Sequence, residues 1–131
     1  MRTSKFIACM LCSLILTLSA SNMVFAKTQS AQNTYSGHIV TSSLECNFEL
    51  FGFDKGTAKT NWDGMKGYGV EARIYYRPNL ASDYIRLDKD YGDRGALVIG
   101  SKKGVWDFKS NHYVKNNKKS KTQKILTLTD W

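Results

Sequence analysis

The lysine-rich C-terminal stretch is the part of this sequence whose residue types most directly indicate a chemistry. Between Val105 and Trp131 lysine is frequent, and aromatic residues are interleaved with it. Ammonium groups attract phosphates and carboxylates, and amphipathic rings favour the headgroup layer of a membrane. The sequence therefore predicts contact with an anionic surface through Lys115, Lys118, Lys119, Lys121 and Lys124, with Trp106, Tyr113 and Trp131 as aromatic anchors.

The overall charge supports an anionic partner. The chain has a formal net charge of +8 at pH 7. Such a balance favours association with a cell-wall polymer, a lipid headgroup or a lipid-linked precursor at a cell envelope. The alternative is that the lysines serve solubility and keep edge strands from pairing. Because the sequence carries no nucleic-acid-binding motif, we expect no specific nucleic-acid recognition.

The N-terminus has the three parts of an export signal. Arg2 and Lys5 precede an apolar run from Phe6 to Leu18, and Val24-Phe25-Ala26 resembles a cleavage site. This order predicts a secretory signal peptide over residues 1–26 and a secreted, extracellular protein. A polar stretch at 27–36 is predicted to be a flexible leader, and residues 37–131 a single β domain that is a monomer or a weak homo-oligomer.

Elements that would position the basic residues follow a period of two. Between Tyr68 and Tyr76, apolar side chains alternate with Glu71, Arg73 and Tyr75, as a half-buried strand requires. Other short alternating runs are separated by turn residues, including Asp54-Lys55-Gly56 and Asp63-Gly64. The sequence therefore predicts an all-β fold, a small antiparallel β-sandwich or barrel of about 6–8 short strands.

Only one cysteine, Cys46, follows the predicted signal, so we expect no internal disulfide and a small buried thiol. The acidic run from Asp88 to Asp93 lacks the calcium-loop pattern, and we assign no metal or cofactor. A third-ranked hypothesis, a small secreted hydrolase, would draw on Cys46 or His38 with His112. No catalytic motif surrounds these residues, so no catalytic residue is assigned.

Tyrosines provide the first alternative function. They recur along the predicted strands, where exposed rings could stack on sugars. This alternative is a secreted module that binds glycans or cell surfaces, through Tyr68, Tyr75, Tyr76, Tyr84 and Tyr91.

A family resemblance adds a more specific expectation. Trp62 followed by Gly67-Tyr68-Gly69-Val70, then Gly104-Val105-Trp106 and the terminal Trp131, resembles the secreted bacteriocins of the lactococcin 972 type. The resemblance implies a β-rich antibacterial protein without disulfides that acts at the cell envelope through the cell-wall precursor lipid.

Overall fold

The computed structural model describes residues 24–117 and 121–129, which form two antiparallel β-sheets of four strands each. Sheet A has the strand order β1-β2-β3-β6 and sheet B the order β5-β4-β7-β8. This confirms the predicted all-β fold, as a sandwich. No helix long and apolar enough to cross a membrane occurs in the described residues. The strands are β1 (Val24–Tyr35), β2 (His38–Glu49), β3 (Asp54–Trp62), β4 (Tyr68–Arg77), β5 (Ile85–Gly92), β6 (Gly95–Lys102), β7 (Asp107–Asn116) and β8 (Lys121–Thr129).

Strand β4 shows how alternation builds the core. Val70, Ala72 and Ile74 are all 0% exposed, as the pattern between Tyr68 and Tyr76 predicts. Phe108 and Val114 of the neighbouring β7 point to the same side. Since successive side chains of a strand face opposite ways, the intervening residues of β4 and β7 lie on the outer side of sheet B.

A pair of glycines allows the two sheets to approach closely. Gly56 of β3 lies opposite Gly100 of β6 in sheet A. A Cβ atom at Gly56 would lie 2.8 Å from Cδ1 of Phe108, and one at Gly100 would lie 2.7 Å from Cδ1 of Leu87. The absent side chains therefore leave the space that these two side chains of sheet B fill.

Two sequence predictions are wrong. Residues 27–35 are not a flexible leader but most of β1, which pairs with β2 from Val24 opposite Glu49 to Tyr35 opposite His38. The tripeptide Asp54-Lys55-Gly56 begins β3 and is not a turn. Both strands lack strong hydrophobic alternation: β1 is polar and is held by its backbone pairing, and β3 turns small residues inward.

Candidate anion-binding face

Cations and tyrosines gather on the solvent side of sheet B. On β4 this side carries Arg73 and Tyr75, and on β7 it carries Lys109, Tyr113 and Lys115. The register sets Lys109 directly opposite Tyr75. We call this surface the tyrosine–cation face and define it by Arg73, Tyr75, Arg77, Tyr84, Arg86, Lys89, Tyr91, Lys109, Tyr113, Lys115 and Lys124.

The cations lie over the rings. The guanidinium carbon of Arg73 is 4.2 Å from the centroid of the Tyr113 ring. Lys109 Nζ is 4.4 Å from the ring of Tyr84 and 4.9 Å from that of Tyr75. At these distances the negative face of a ring attracts a cation. The contacts hold the charged ends of long side chains above the sheet.

The same pattern continues toward both ends of the face. Lys115 Nζ is 5.3 Å from the centroid of the Tyr91 ring, and the guanidinium carbon of Arg77 is 4.6 Å from that of Tyr84. Arg86 and Lys89 on β5 and Lys124 on β8 are exposed at the margins. Charge therefore extends across all four strands of sheet B.

Two carboxylates on this side of the sheet are buried and paired. Asp107 is 0% exposed, and its two oxygens accept from Nε and Nη2 of Arg77 at 2.8 Å each. Glu71 is 5% exposed and accepts a hydrogen bond from Arg73. Although burial lowers the pKa of Arg73, hydrogen bonds to Glu71 and Tyr75 and the charge of Glu71 raise it overall. The carboxylates of Asp107 and Glu71 are therefore buried, whereas other cations remain at the surface.

The central tyrosine keeps its proton. Burial is the main cause that raises the pKa of Tyr113, and a hydrogen bond with Tyr75 acts in the same direction. A neutral phenol beside Arg73 adds a hydrogen-bonding group and no negative charge. This arrangement suits the binding of a phosphate or carboxylate, because nearby cations attract it and no exposed acid on β4 or β7 repels it.

The structure brings together only some of the predicted site residues. Lys115 lies on the tyrosine–cation face, and Lys124 lies opposite Tyr113. Lys121 is at the start of β8, opposite Asn116. Trp106 precedes β7, whereas the predicted lysines from Lys118 onward follow the other end of that strand in the sequence. The predicted residues Lys118, Lys119 and Trp131 lie outside the described residues.

Sequence reasoning missed the contribution of β4 and β5 to this face. Arg73 and Arg86 were not among the predicted site residues, and Tyr75 was assigned to a separate glycan-binding alternative. The alternation of β4 already indicated that Arg73 and Tyr75 share a side. The pairing of β4 with β7, which sets them beside Lys109 and Tyr113, is not encoded in any local pattern.

A polar cleft of about 390 Å³ lies at one end of the sandwich. It is lined by both acids and bases, among them Asp63, Lys66, Asp93 and Arg94. The backbone N–H of Asn117 donates to the carbonyl of Gly67 at 2.9 Å, so Asn117, the residue after β7, borders this cleft. The mixed charges make the cleft less suited to a polyanion than the tyrosine–cation face.

The side chains considered for catalysis lie apart. His112 is buried between the sheets, with Nδ1 2.7 Å from Thr60 Oγ1 and Nε2 2.7 Å from Ser110 Oγ. Burial lowers its pKa to about 4, so the imidazole is neutral at pH 7. His38 lies at the cleft end, 2.9 Å from Asp63. The Cys46 thiol is buried, as expected.

No protein-family model matches the chain, and no curated protein or solved structure is significantly similar to it. The tyrosine–cation face is therefore defined by its own residues and geometry.

Proposed function

We propose that this protein is an exported binding protein whose tyrosine–cation face holds an anionic polymer of a bacterial cell envelope. The observation that carries the proposal is the set of cations fixed over tyrosine rings while Glu71 and Asp107 are buried in ion pairs. Because the ring contacts restrict Arg73 and Lys109 before a ligand arrives, less conformational entropy is lost on binding.

The spacing of the face also suits a polymer. Neighbouring strands are about 4.8 Å apart, and same-side residues on one strand are about 7 Å apart. Cations on β4, β7 and β8 thus form an array that several charged groups of one chain can contact together. Binding through such an array weakens as salt screens the charges. A phosphate-bearing cell-wall polymer, with charge at regular intervals, fits this description.

Retention on purified bacterial cell walls tests the proposal with matched variants. Lys109→Ser with Lys115→Ser removes two cations from the tyrosine–cation face. The control, Lys55→Ser with Lys59→Ser, removes two exposed lysines from the outer side of sheet A. We expect the first pair to weaken retention about tenfold or more at low salt, since each lysine near an anionic surface contributes roughly 1 kcal/mol. Equal effects of the two pairs would contradict the proposal.

A third variant separates the tyrosine–cation face from the lysine-rich segment 118–121. Replacing Lys118, Lys119 and Lys121 with Ser leaves Lys109 and Lys115 in place. Loss of retention in this variant alone would assign the cell-wall contact to segment 118–121 and would contradict the proposed role of the tyrosine–cation face. Retention that is independent of salt but lost in Tyr75→Ala with Tyr91→Ala would instead favour the glycan-binding alternative. Inhibition of related strains by the purified protein would support the antibacterial role that the family resemblance implies.

A further inference from the structure

Apolar side chains project from the hairpin end that joins β2 to β3. Leu50, Phe51 and Phe53 are 58%, 72% and 57% exposed. Trp106, in the loop before β7, and Leu80, in the loop after β4, are also exposed at this end of the sandwich. We call Leu50, Phe51 and Phe53 the apolar tip. Several exposed apolar side chains of this size at one turn are a candidate interaction site.

A buried carboxylate fixes the apolar tip to the rest of the domain. Asp54 is 5% exposed, and its oxygens accept from the backbone N–H groups of Glu49 and Val105, each at 2.9 Å. The N–H of Trp106 in turn donates to the carbonyl of Arg77 at 2.9 Å. The two sheets are therefore joined at this end, and the tip is presented by a braced support.

Lysines surround the apolar tip. Lys103 Nζ is 5.1 Å from the centroid of the Phe53 ring, and Lys102 lies opposite Asp54 in the β3–β6 pairing. Glu49 is the exposed acid of the hairpin, whereas the carboxylate of Asp54 is committed to backbone N–H groups. Apolar side chains beside cations match the boundary between acyl chains and anionic headgroups, where rings enter and ammonium groups meet phosphates.

The path of the chain favours a bilayer over other occupants. Strand β1 begins at this end, with Val24 opposite Glu49. The apolar run from Phe6 to Leu18 lies a few residues upstream of that point in the sequence. The predicted export segment therefore brings the start of β1 to the membrane before cleavage, and the start of β1 lies beside the apolar tip once the sheet has formed.

We propose that the apolar tip docks on the surface of a lipid bilayer that contains anionic headgroups. Leu50, Phe51 and Phe53 enter the headgroup boundary, and Lys102 and Lys103 contact the phosphates. This site is separate from the tyrosine–cation face and does not depend on the polymer-binding function proposed for that face.

Binding of the exported protein to vesicles of phosphatidylglycerol and phosphatidylcholine tests this site. Phe51→Ser with Phe53→Ser should weaken binding roughly tenfold or more, because both rings lose their apolar transfer energy. The control, Leu97→Ser with Ile99→Ser, removes two side chains of 51% and 52% exposure from the outer side of sheet A. Equal binding of wild type and the tip variant, or an equal loss in the control, would overturn the proposal.

A depth measurement identifies the inserted residues even where another segment also holds the protein on the vesicle. Bromine-labelled lipids should quench the indole introduced by Phe51→Trp more than the one introduced by Leu97→Trp. Equal quenching would exclude insertion of the apolar tip. A dimer that forms without vesicles and dissociates in Phe51→Ser with Phe53→Ser would assign the tip to a second copy and also overturn the proposal. Retention on cell walls by the same variants reports separately on the tyrosine–cation face.

Discussion

The outer sides of the two sheets follow the same strand alternation but carry different side chains. Sheet B presents the tyrosine–cation face, in which Arg73 and Arg77 are paired with carboxylates and lie over rings, as do Lys109 and Lys115 over rings alone. Sheet A presents exposed Lys55, Lys59, Leu97 and Ile99 without this arrangement of rings, among many small hydroxyl and amide side chains: Thr28, Ser30, Gln32, Thr34, Thr41, Ser43, Thr57 and Asn61. Either surface keeps a sandwich soluble, but immobilising long cationic side chains costs conformational entropy that solubility does not require. The difference therefore supports sheet B as the side on which the proposed binding takes place.

Removal of a buried charge gives the largest expected contrast between the sheets. Asp107→Ala should lower the free energy of unfolding by about 3–5 kcal/mol, because Arg77 would keep a charge in a largely buried position without its partner. Glu45→Ala, at an exposed position of sheet A, should change it by less than about 0.5 kcal/mol. Urea denaturation of both variants measures the difference. Similar changes in the free energy of unfolding would show that the charges of sheet B contribute no more to stability than those of sheet A.

Acid should weaken the junction between the sheets, because His112 of sheet B contacts Thr60 of sheet A. With a pKa of about 4 in the folded protein and an ordinary histidine value of 6.5 in the unfolded chain, His112 takes up its proton more readily when unfolded. The stability it confers is full above pH 6.5 and declines as the pH falls toward 4, by about 3 kcal/mol in all. The free energy of unfolding, measured by urea denaturation across this pH range, should decline with acid in wild type and in His38→Gln. This decline should be absent from His112→Gln. If the free energy of unfolding of His112→Gln depended on pH as it does in wild type, His112 would not be the group responsible.

Two serines of similar burial should respond in opposite ways. Among the described residues, the hydroxyl of Ser42 in sheet A is buried without a hydrogen-bond partner, whereas Ser110 in sheet B bonds to His112. Ser42→Ala should raise the free energy of unfolding by about 1 kcal/mol, and Ser110→Ala should lower it by about 1 kcal/mol or more. Thermal and urea unfolding of the two variants provide the comparison. Destabilisation by Ser42→Ala would indicate that a water or a packing contact satisfies that hydroxyl.

Coupling between a lysine and a ring on the tyrosine–cation face is the smallest expected effect. A double-mutant cycle with Lys109→Met and Tyr84→Leu should give an interaction of about 0.5 kcal/mol, typical of an exposed cation–ring contact. A second cycle pairs Lys109→Met with Ile99→Ala, a residue on the far side of the sandwich, and should give none. Equal couplings in the two cycles would mean that the rings do not hold the cations.

Much of the fold was predictable from local pattern. The alternation in β4 predicted a half-buried strand, and Cys46 was expected to be buried. Strand β3 was missed because its inward residues are Gly56, Ala58 and Thr60, which are small and give a weak hydrophobic signal. Strand β1 was missed because backbone pairing with β2 stabilises it more than side-chain burial does.

The candidate site was predictable only in part. The lysines near the β7–β8 turn stood out because they are close together in the sequence. The partners of Lys109, however, come from β4 and from the residue before β5, and only the pairing of distant strands brings them together. The hydrogen bonds of Asp54 that support the apolar tip were not predictable for the same reason, since Asp54 and Val105 are far apart in the sequence.

Strand β1 begins three residues before the predicted cleavage point after Ala26, and that position sets an order of events. Ala26 lies opposite Asn47 in the folded sheet, and Phe25 beside it is buried. A peptidase must hold its substrate as an extended, unpaired strand, so a bond inside a completed sheet is poorly accessible to it. Cleavage after Ala26 would therefore have to precede the docking of β1. A precursor that folded first would resist processing, so the edge of sheet A would then limit the rate of the predicted maturation.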